Sequence, residues 1–364
     1  MKIAIVTSAF ITGGAESMAA QLAVYLRKND VDAVVISTYP RQNHVYERRM
    51  EAEGVPVYYL NKRSGRDIKA LWNLGRLLMK LKPDIIHGHL YGTIYALPWA
   101  IIYRKPLVRT IHTRPDNESK LRKLYHVWTR LGVIFPVTIS PSNQEEACQL
   151  YHATPDMYPC IVNPVEIERF SRREQPAEDR MNFICVGRLD DNKNQILAVR
   201  AMPEVLKQIP FAKLMLVGDG EERESLIREA ERLGVSYAVE FTGNVPDPEA
   251  YLARSDVYLM VSHVEGLPLS VLEAMAAGLP IIGTKAGSVV DIVKENGVLI
   301  EVDDLDALIR EMIRFGKDET LRSRCGAISR KMARGYDADT CAKSYIRLYE
   351  DILRKKRKQG RYKA

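Results

Sequence analysis

The chain has 364 residues, 46% hydrophobic and 27% charged, the balance of a folded soluble protein, so disordered and fibrous classes are excluded. At ~100–200 residues per domain its length predicts two or three domains. Its formal charge of +7 is uneven, with +8 on residues 1–175, −7 on 176–350 and +6 on the last 14; that pattern suits an anionic partner such as headgroups, a phosphorylated substrate or nucleic acid, or else plain solvated faces.

In chain order, residues 3–7, 33–37, 56–60, 84–87, 107–111 and 136–140 are short apolar, β-branched runs that read as buried strands. The opening MKIAIVTSAFITGG has a signal-like lysine before an apolar run. Gly13-Gly14 and Glu16 interrupt it and no small-residue cleavage pattern follows, so it reads as the first strand. Ala19, Leu22, Ala23 and Leu26 recur at helical spacing after it. Beyond the polar stretch 171–179 the pattern restarts, with strands at 182–187, 213–218, 239–243, 257–262, 280–284 and 297–301 and a helix near 195–208. A final helix over about 340–357 has Ala342, Tyr345, Ile346, Tyr349, Ile352 and Leu353 to bury before its basic end. Strands alternating with helices predict two parallel α/β sheets, with ligands beyond the C-terminal strand ends and in the cleft between the sheets. The longest apolar stretch, around Ile94–Ile102, is far short of the ~20 residues of a membrane span. Five scattered cysteines with no C-x-x-C pair argue against a disulfide framework or zinc ribbon and fit a reducing cytoplasm.

The chemistry-bearing residues fall just after strands. The first strand runs into Gly13-Gly14-Ala15-Glu16, a turn able to bring backbone N–H groups toward an anion, without the spacing of the G-x-G-x-x-G dinucleotide fingerprint. After 182–187 come Arg188 and Lys193, able to converge on one diphosphate, the first as a planar fork and the second as a point charge. The strongest signal is VSHVEGLPLSVLEAMAAGLPIIGT (261–284). Glu265 lies past a strand, and Glu273 lies eight positions on, inside a helix started near Pro268 and Ser270 and stopped by Gly278-Leu279-Pro280. Free N–H groups near Leu269, Ser270 and Val271 would favour a phosphate. Carboxylates beside them suit hydroxyls, so the set describes a sugar–diphosphate–ribose ligand.

This stretch resembles the E-x7-E motif of the retaining GT-B glycosyltransferases of family 4, the glycosyl transferases group 1 family. The likeness extends over nearly the whole chain through Gly187-Arg188-Leu189, Lys193, Val217-Gly218-Asp219-Gly220 and Phe241-Thr242-Gly243-Asn244-Val245. It implies a GT-B fold of two Rossmann-like domains with parallel sheets facing across a central cleft. The domains would be an acceptor-binding domain at 1–172, a nucleotide-sugar-binding domain at 173–338, and a helix crossing back to the first domain plus basic tail at 339–364. It further implies that Glu265 binds donor-sugar hydroxyls and Glu273 the ribose, within a donor loop that includes Gly266 and Leu267. Arg188, Lys193 and the backbone at Leu269, Ser270 and Val271 would hold the diphosphate. Gly243, Asn244 and Val245 would line the base, and Gly14 would lie over the donor phosphate. His112 best matches the family's histidine near the donor sugar, with His87 and His89 as rivals; Thr113 stands where the family often has aspartate.

Departure of a nucleoside diphosphate is best assisted by preorganised cations and a helix N-terminus. The resemblance implies retention of anomeric configuration, and because no residue is evident as a covalent nucleophile the expected route to it is front-face displacement. The activity implied is transfer of a hexose or N-acetylhexosamine, the family favouring a UDP-sugar over GDP or ADP, to a lipid-linked or cell-envelope glycan. No cofactor or metal is expected, because the Asp-x-Asp triplets Asp30/Asp32, Asp304/Asp306 and Asp337/Asp339 lie away from these residues. Expected partners are the donor, the acceptor and an anionic membrane at the inner face of the cell membrane, with tail and basic domain on one side, and no nucleic acid. The alternatives are a GT-B nucleotide-sugar epimerase and a non-catalytic GT-B partner subunit.

Overall fold

The computed structural model describes every residue except 11–12, 66, 114, 116–120, 172–179, 246 and 359–364. Most of the polar stretch 171–179 and the end of the basic tail therefore lie outside the described residues. The chain divides into two units, Met1–Pro164 with Ala338–Ala364, and Val165–Asp337.

The first unit runs β1 (Lys2–Thr7), α1 (Gly14–Lys28), β2 (Asp32–Ser37), α2 (Val45–Ala52), β3 (Val57–Tyr59) and α3 (Ile68–Leu81). It continues with β4 (Ile85–His89), α4 (Gly92–Ile102), β5 (Leu107–Ile111), α5 (Arg122–Arg130), β6 (Ile134–Thr138) and α6 (Pro141–Tyr151). The second unit comprises α7 (Ile167–Phe170), β7 (Met181–Val186), α8 (Gln195–Gln208), β8 (Ala212–Val217), α9 (Arg223–Arg232) and β9 (Val239–Gly243). After these come α10 (Glu249–Ala253), β10 (Val257–Met260), α11 (Leu269–Ala276), β11 (Ile281–Thr284), α12 (Val289–Ile292) and β12 (Gly297–Ile300). The helices α13 (Leu305–Lys317) and α14 (Glu319–Ala333) complete it, and α15 (Ala338–Lys358) rejoins the first unit.

Each sheet is six-stranded, in the orders β3-β2-β1-β4-β5-β6 and β12-β11-β10-β7-β8-β9. Counted within its own unit, the second order is the first one reversed, so both are parallel Rossmann-like sheets. Each has its switch point between its first and fourth strands, where ligands bind in such sheets. Strand pleating assigns the layers of the first unit. Ala4, Val6, Ile86 and Leu107 join α3, α4 and Tyr125 of α5 in one core. The alternate residues His87 and Thr110 turn to the other side, where Tyr349 and Tyr345 of α15 bond them.

Helix boundaries follow local chemistry. Asp67 accepts the Ala70 N–H at 3.0 Å and Ser140 the Asn143 N–H at 3.1 Å, starting α3 and α6. Gly278, at φ +76°, closes α11 in the left-handed conformation that glycine adopts without strain. The boundary expected at 172/173 falls instead at Pro164/Val165, because α7 packs on α10 and α11 of the second unit.

Candidate active site

At the switch point of the second unit, the loops following β7 and β10 are tied together by Asn192. Its backbone oxygen accepts the His263 N–H at 2.8 Å, and its side-chain amide brackets Val264 at 2.9 and 3.2 Å. Asp190 caps the turn Asp191–Lys193 by accepting the Lys193 N–H at 2.9 Å. Lys193 is thereby delivered to Glu265, with Nζ–Oε1 at 2.6 Å and only 9% of the Glu265 side chain exposed. Arg188 bonds Asp190 at 2.6 Å yet stays 69% exposed. Thus the two expected diphosphate cations both have carboxylate partners here, and Lys193 shares its partner with the sugar-binding role expected of Glu265. Gly287, at φ +53°, permits this arrangement, since a Cβ there would stand 2.0 Å from the Glu265 carbonyl oxygen.

α11 begins past Gly266 and the buried Leu267. Among the described residues the N–H groups of Leu269 and Ser270 meet no backbone acceptor, whereas Val271 donates back to Pro268 at 3.2 Å. The expected trio of free donors is therefore a pair, because the first helical turn closes on Val271. Glu273 sits one turn in. It keeps some exposure, but surrounding protein desolvates its carboxyl and pushes its pKa up to about 7, with Arg169 pulling it down and Asp247 raising it further. Arg169 bonds Asp247 at 2.5 Å, and Asp247 closely follows the Gly243, Asn244 and Val245 loop. Gly243 anchors that loop by accepting the Gly218 N–H at 3.1 Å.

In the first unit, Gly14 opens α1, and the Glu16 carboxylate folds over that helix start, 2.5 Å from where a Cβ on Gly13 would stand. Residues 11 and 12 of the preceding loop lie outside the described residues. His112 follows β5, with Nε2 2.9 Å from Nδ1 of His89. Burial, with Arg109 adding to it, holds His112 at about 3, and burial keeps His89 well below the usual histidine range, so the pair is neutral. His89 Nε2 is buried and has no partner among the described residues. An orphaned acceptor costs less than an orphaned N–H. The favoured tautomer therefore has His89 donating from Nδ1, which leaves His112 with its proton on Nδ1. His87 is consumed in the core, bonding Tyr349 at 2.7 Å and Thr110 at 2.8 Å.

One aspartate of each triplet does structural work. Asp304 caps α13, Asp32 pairs with Lys2, and Asp339 bonds Asn29 at 2.7 Å. Among the described residues, no three His, Cys, Asp or Glu side chains gather as metal ligands would.

The Glycosyltransferase Family 4 sequence model matches residues 12–169, and the Glycosyl transferases group 1 model residues 166–332. The chain belongs to the GT-B glycosyltransferases of this family. It is 30% identical over 234 residues to a GDP-mannose-dependent alpha-(1-6)-phosphatidylinositol monomannoside mannosyltransferase of Mycolicibacterium smegmatis, a match covering 61% of this chain and 57% of that protein. It is 27% identical over 322 residues to an Escherichia coli UDP-Gal:alpha-D-GlcNAc-diphosphoundecaprenol alpha-1,3-galactosyltransferase, covering 82% of this chain and 83% of that one. Anabaena Alr3699/HepE in complex with UDP and glucose superposes with a TM-score of 0.82 at 20% identity, over 96% of this chain and 100% of that one; this is a likeness of fold.

In this chain the sequence pattern reveals the charged residues and hides those that arrange them. Asn192 could have been found as an amide beside Lys193 on a strand-end loop. Arg169 and Asp247 have no local signal, since they meet across 78 residues of sequence.

Proposed function

We propose that the protein transfers a hexose or N-acetylhexosamine, with retention and without a metal, from a UDP-sugar to a lipid-linked or cell-envelope glycan at the cytoplasmic face of a membrane. The observation that carries the reading is the Lys193–Glu265 pair at the switch point, beside the two free N–H groups of α11. A donor would exchange that pair. Its diphosphate takes Lys193, Arg188 and the helix N–H groups, while sugar hydroxyls donate to Glu265 and ribose hydroxyls to Glu273. Charge developing on the leaving diphosphate then falls on donors already in place, the kind of stabilisation that contributes most to such barriers. The leaving phosphate takes the acceptor's proton as the new glycosidic bond forms on the same face. His112 offers its Nδ1–H to the sugar. The relatives' names support the acceptor class, one being a phosphatidylinositol mannoside and the other a diphosphoundecaprenol. They differ in donor base, which makes the base the first thing to measure.

A thermal-shift screen of nucleoside diphosphates and nucleotide sugars, with and without chelator, tests this. A ligand at a hundred times its Kd stabilises by about 2.7 kcal/mol. UDP and UDP-sugars are expected to raise Tm equally in both conditions. No response to any nucleoside diphosphate would refute the donor reading, and a response only without chelator would refute metal independence.

A further inference from the structure

The first unit has an outer face that donor chemistry leaves unused. α3, α4 and α5 form one layer over a shared core. On α3, Ile68, Trp72 and Met79 are 70%, 58% and 59% exposed, and at ~100° per residue they lie within about 40° of one another. On α5, Leu124, Val127 and Leu131 are 44%, 51% and 55% exposed and lie within about 60° by the same count. These stripes are flanked by Lys69, Arg76 and Lys80 on one helix and Lys123 and Arg130 on the other. Over residues 68–82, 92–105 and 121–131 there are nine Lys or Arg and no Asp or Glu. Asp67, which precedes α3, accepts the N–H groups of Arg63 and Ala70, both at 3.0 Å. Among the described residues, fourteen of the sixteen exposed large apolar side chains belong to the first unit; Phe211 and Tyr237 are the two in the second.

We infer that the α3–α5 face seats the protein on an anionic lipid bilayer, its apolar stripes entering the headgroup region and its cations meeting lipid phosphates. The inference rests on the proposed membrane-borne acceptor and says which surface meets the membrane. Exposed apolar stripes lined by one sign of charge are the pattern of interfacial helices. A second copy of the chain fits poorly, because a two-fold contact would set this acid-free face against itself. The surface also differs from the one expected from sequence. α15, with its basic end Lys355–Lys358, packs on α1 and on the side of the sheet carrying His87 and Thr110. The tail helix is therefore on the opposite side of the sheet from α3–α5 and is not the main anchor.

The test is flotation of the full chain with phosphatidylcholine vesicles, with or without phosphatidylglycerol, alongside tryptophan emission. Binding is expected only with the anionic lipid, falling with salt as the ~8 Å Debye length of physiological buffer shortens, and with a blue shift of the tryptophan emission that Trp72→Glu removes. Trp72→Glu and Val127→Glu, both at exposed sites, should each weaken vesicle binding about tenfold, with the UDP-induced thermal shift unchanged. Truncation after Arg354 should leave most of the binding. The inference is overturned if both variants bind as the wild type does, if the truncation alone abolishes binding, if no vesicle binds, or if the variants instead dissolve a dimer. A missing UDP shift with normal vesicle binding would sink the donor reading and leave this one standing.

Discussion

The two units share a strand order and place opposite chemistry at their strand ends. In the first unit, β4 carries the buried His87 and ends in the buried His89, and the partly buried His112 follows β5; His87 and His112 are both held at about 3. In the second, the loops after β7 and β10 end in the ion pairs of Arg188 with Asp190 and Lys193 with Glu265, and Glu273 is pushed up to about 7. Burial is the common cause, because it disfavours whichever form is charged. Scaffold topology thus fixes where a ligand can bind, while the few residues past each strand fix what it can be. Neutral groups at the strand ends suit recognition of hydroxyls, and charged ones suit a diphosphate.

The largest expected effect is on acid stability. For His87 and His112 the folded pKa lies below the unfolded value of 6.5, so the folded state binds fewer protons. Their stabilisation is fully present above pH 6.5 and is lost as pH falls toward 3, several kcal/mol in all. All three tryptophans, Trp72, Trp99 and Trp128, belong to the first unit, so their fluorescence reports that unit. The tryptophan-detected urea midpoint should fall steadily from pH 7 to pH 5. A flat midpoint over that range would mean the histidines are not buried neutral.

Next come the cations. Arg188→Ala and Lys193→Ala should each lower turnover about 10²–10³-fold, as loss of a preorganised donor to a developing anion does. Stability should separate them. Arg188 is mostly exposed, and without it Asp190 still accepts the Lys193 N–H, so Tm should change little; losing Lys193 strands the equally buried Glu265 carboxylate and should lower Tm more. Adding Glu265→Gln to Lys193→Ala should recover part of that loss. Equal melting of the two single variants in calorimetry would show that the pair contributes nothing to folding.

The fold was legible because buried parallel strands are continuous apolar runs; β5 and β9 lie at the expected residues, and most other ends within one or two. Misplaced ends have local causes. The run 136–140 overshoots β6 because Ser140 leaves the ladder to cap α6. The run 257–262 overshoots β10 because the Ser262 carbonyl accepts the Thr284 hydroxyl at 2.7 Å instead. At the site, spacing revealed Glu265, Glu273 and the start of α11, all carried by one strand-loop-helix segment. Hidden from sequence were pairings between segments, namely Lys193 with Glu265, His89 with His112, and Arg169 with Asp247. Periodicity reports which face of an element is buried and says nothing of which polar groups meet.

The smallest effect opposes function to stability at one residue. Glu273 has its folded pKa at about 7 against a usual 4.5, so the folded state binds more protons between those values. Stability is therefore undiminished below pH 4.5 and declines as pH rises through 7, by about 2 kcal/mol after allowance for partial exposure. Glu273→Gln removes that penalty and should raise Tm at pH 8 while changing little at pH 4.5. The same substitution removes the ionised acceptor proposed for the ribose, a charge-assisted hydrogen bond contributing ~1.5–3 kcal/mol, so UDP affinity should fall. Wild-type affinity for UDP should correspondingly strengthen as pH rises through 7. Glu265→Gln should spare UDP affinity and reduce transfer, because the ligand proposed for it is the sugar. Titration calorimetry at pH 6 and pH 8 reads these together. Equal loss of UDP affinity in both variants would overturn the division of roles between the two glutamates, and a lower Tm for Glu273→Gln at pH 8 would show that its carboxylate is stabilised where it lies.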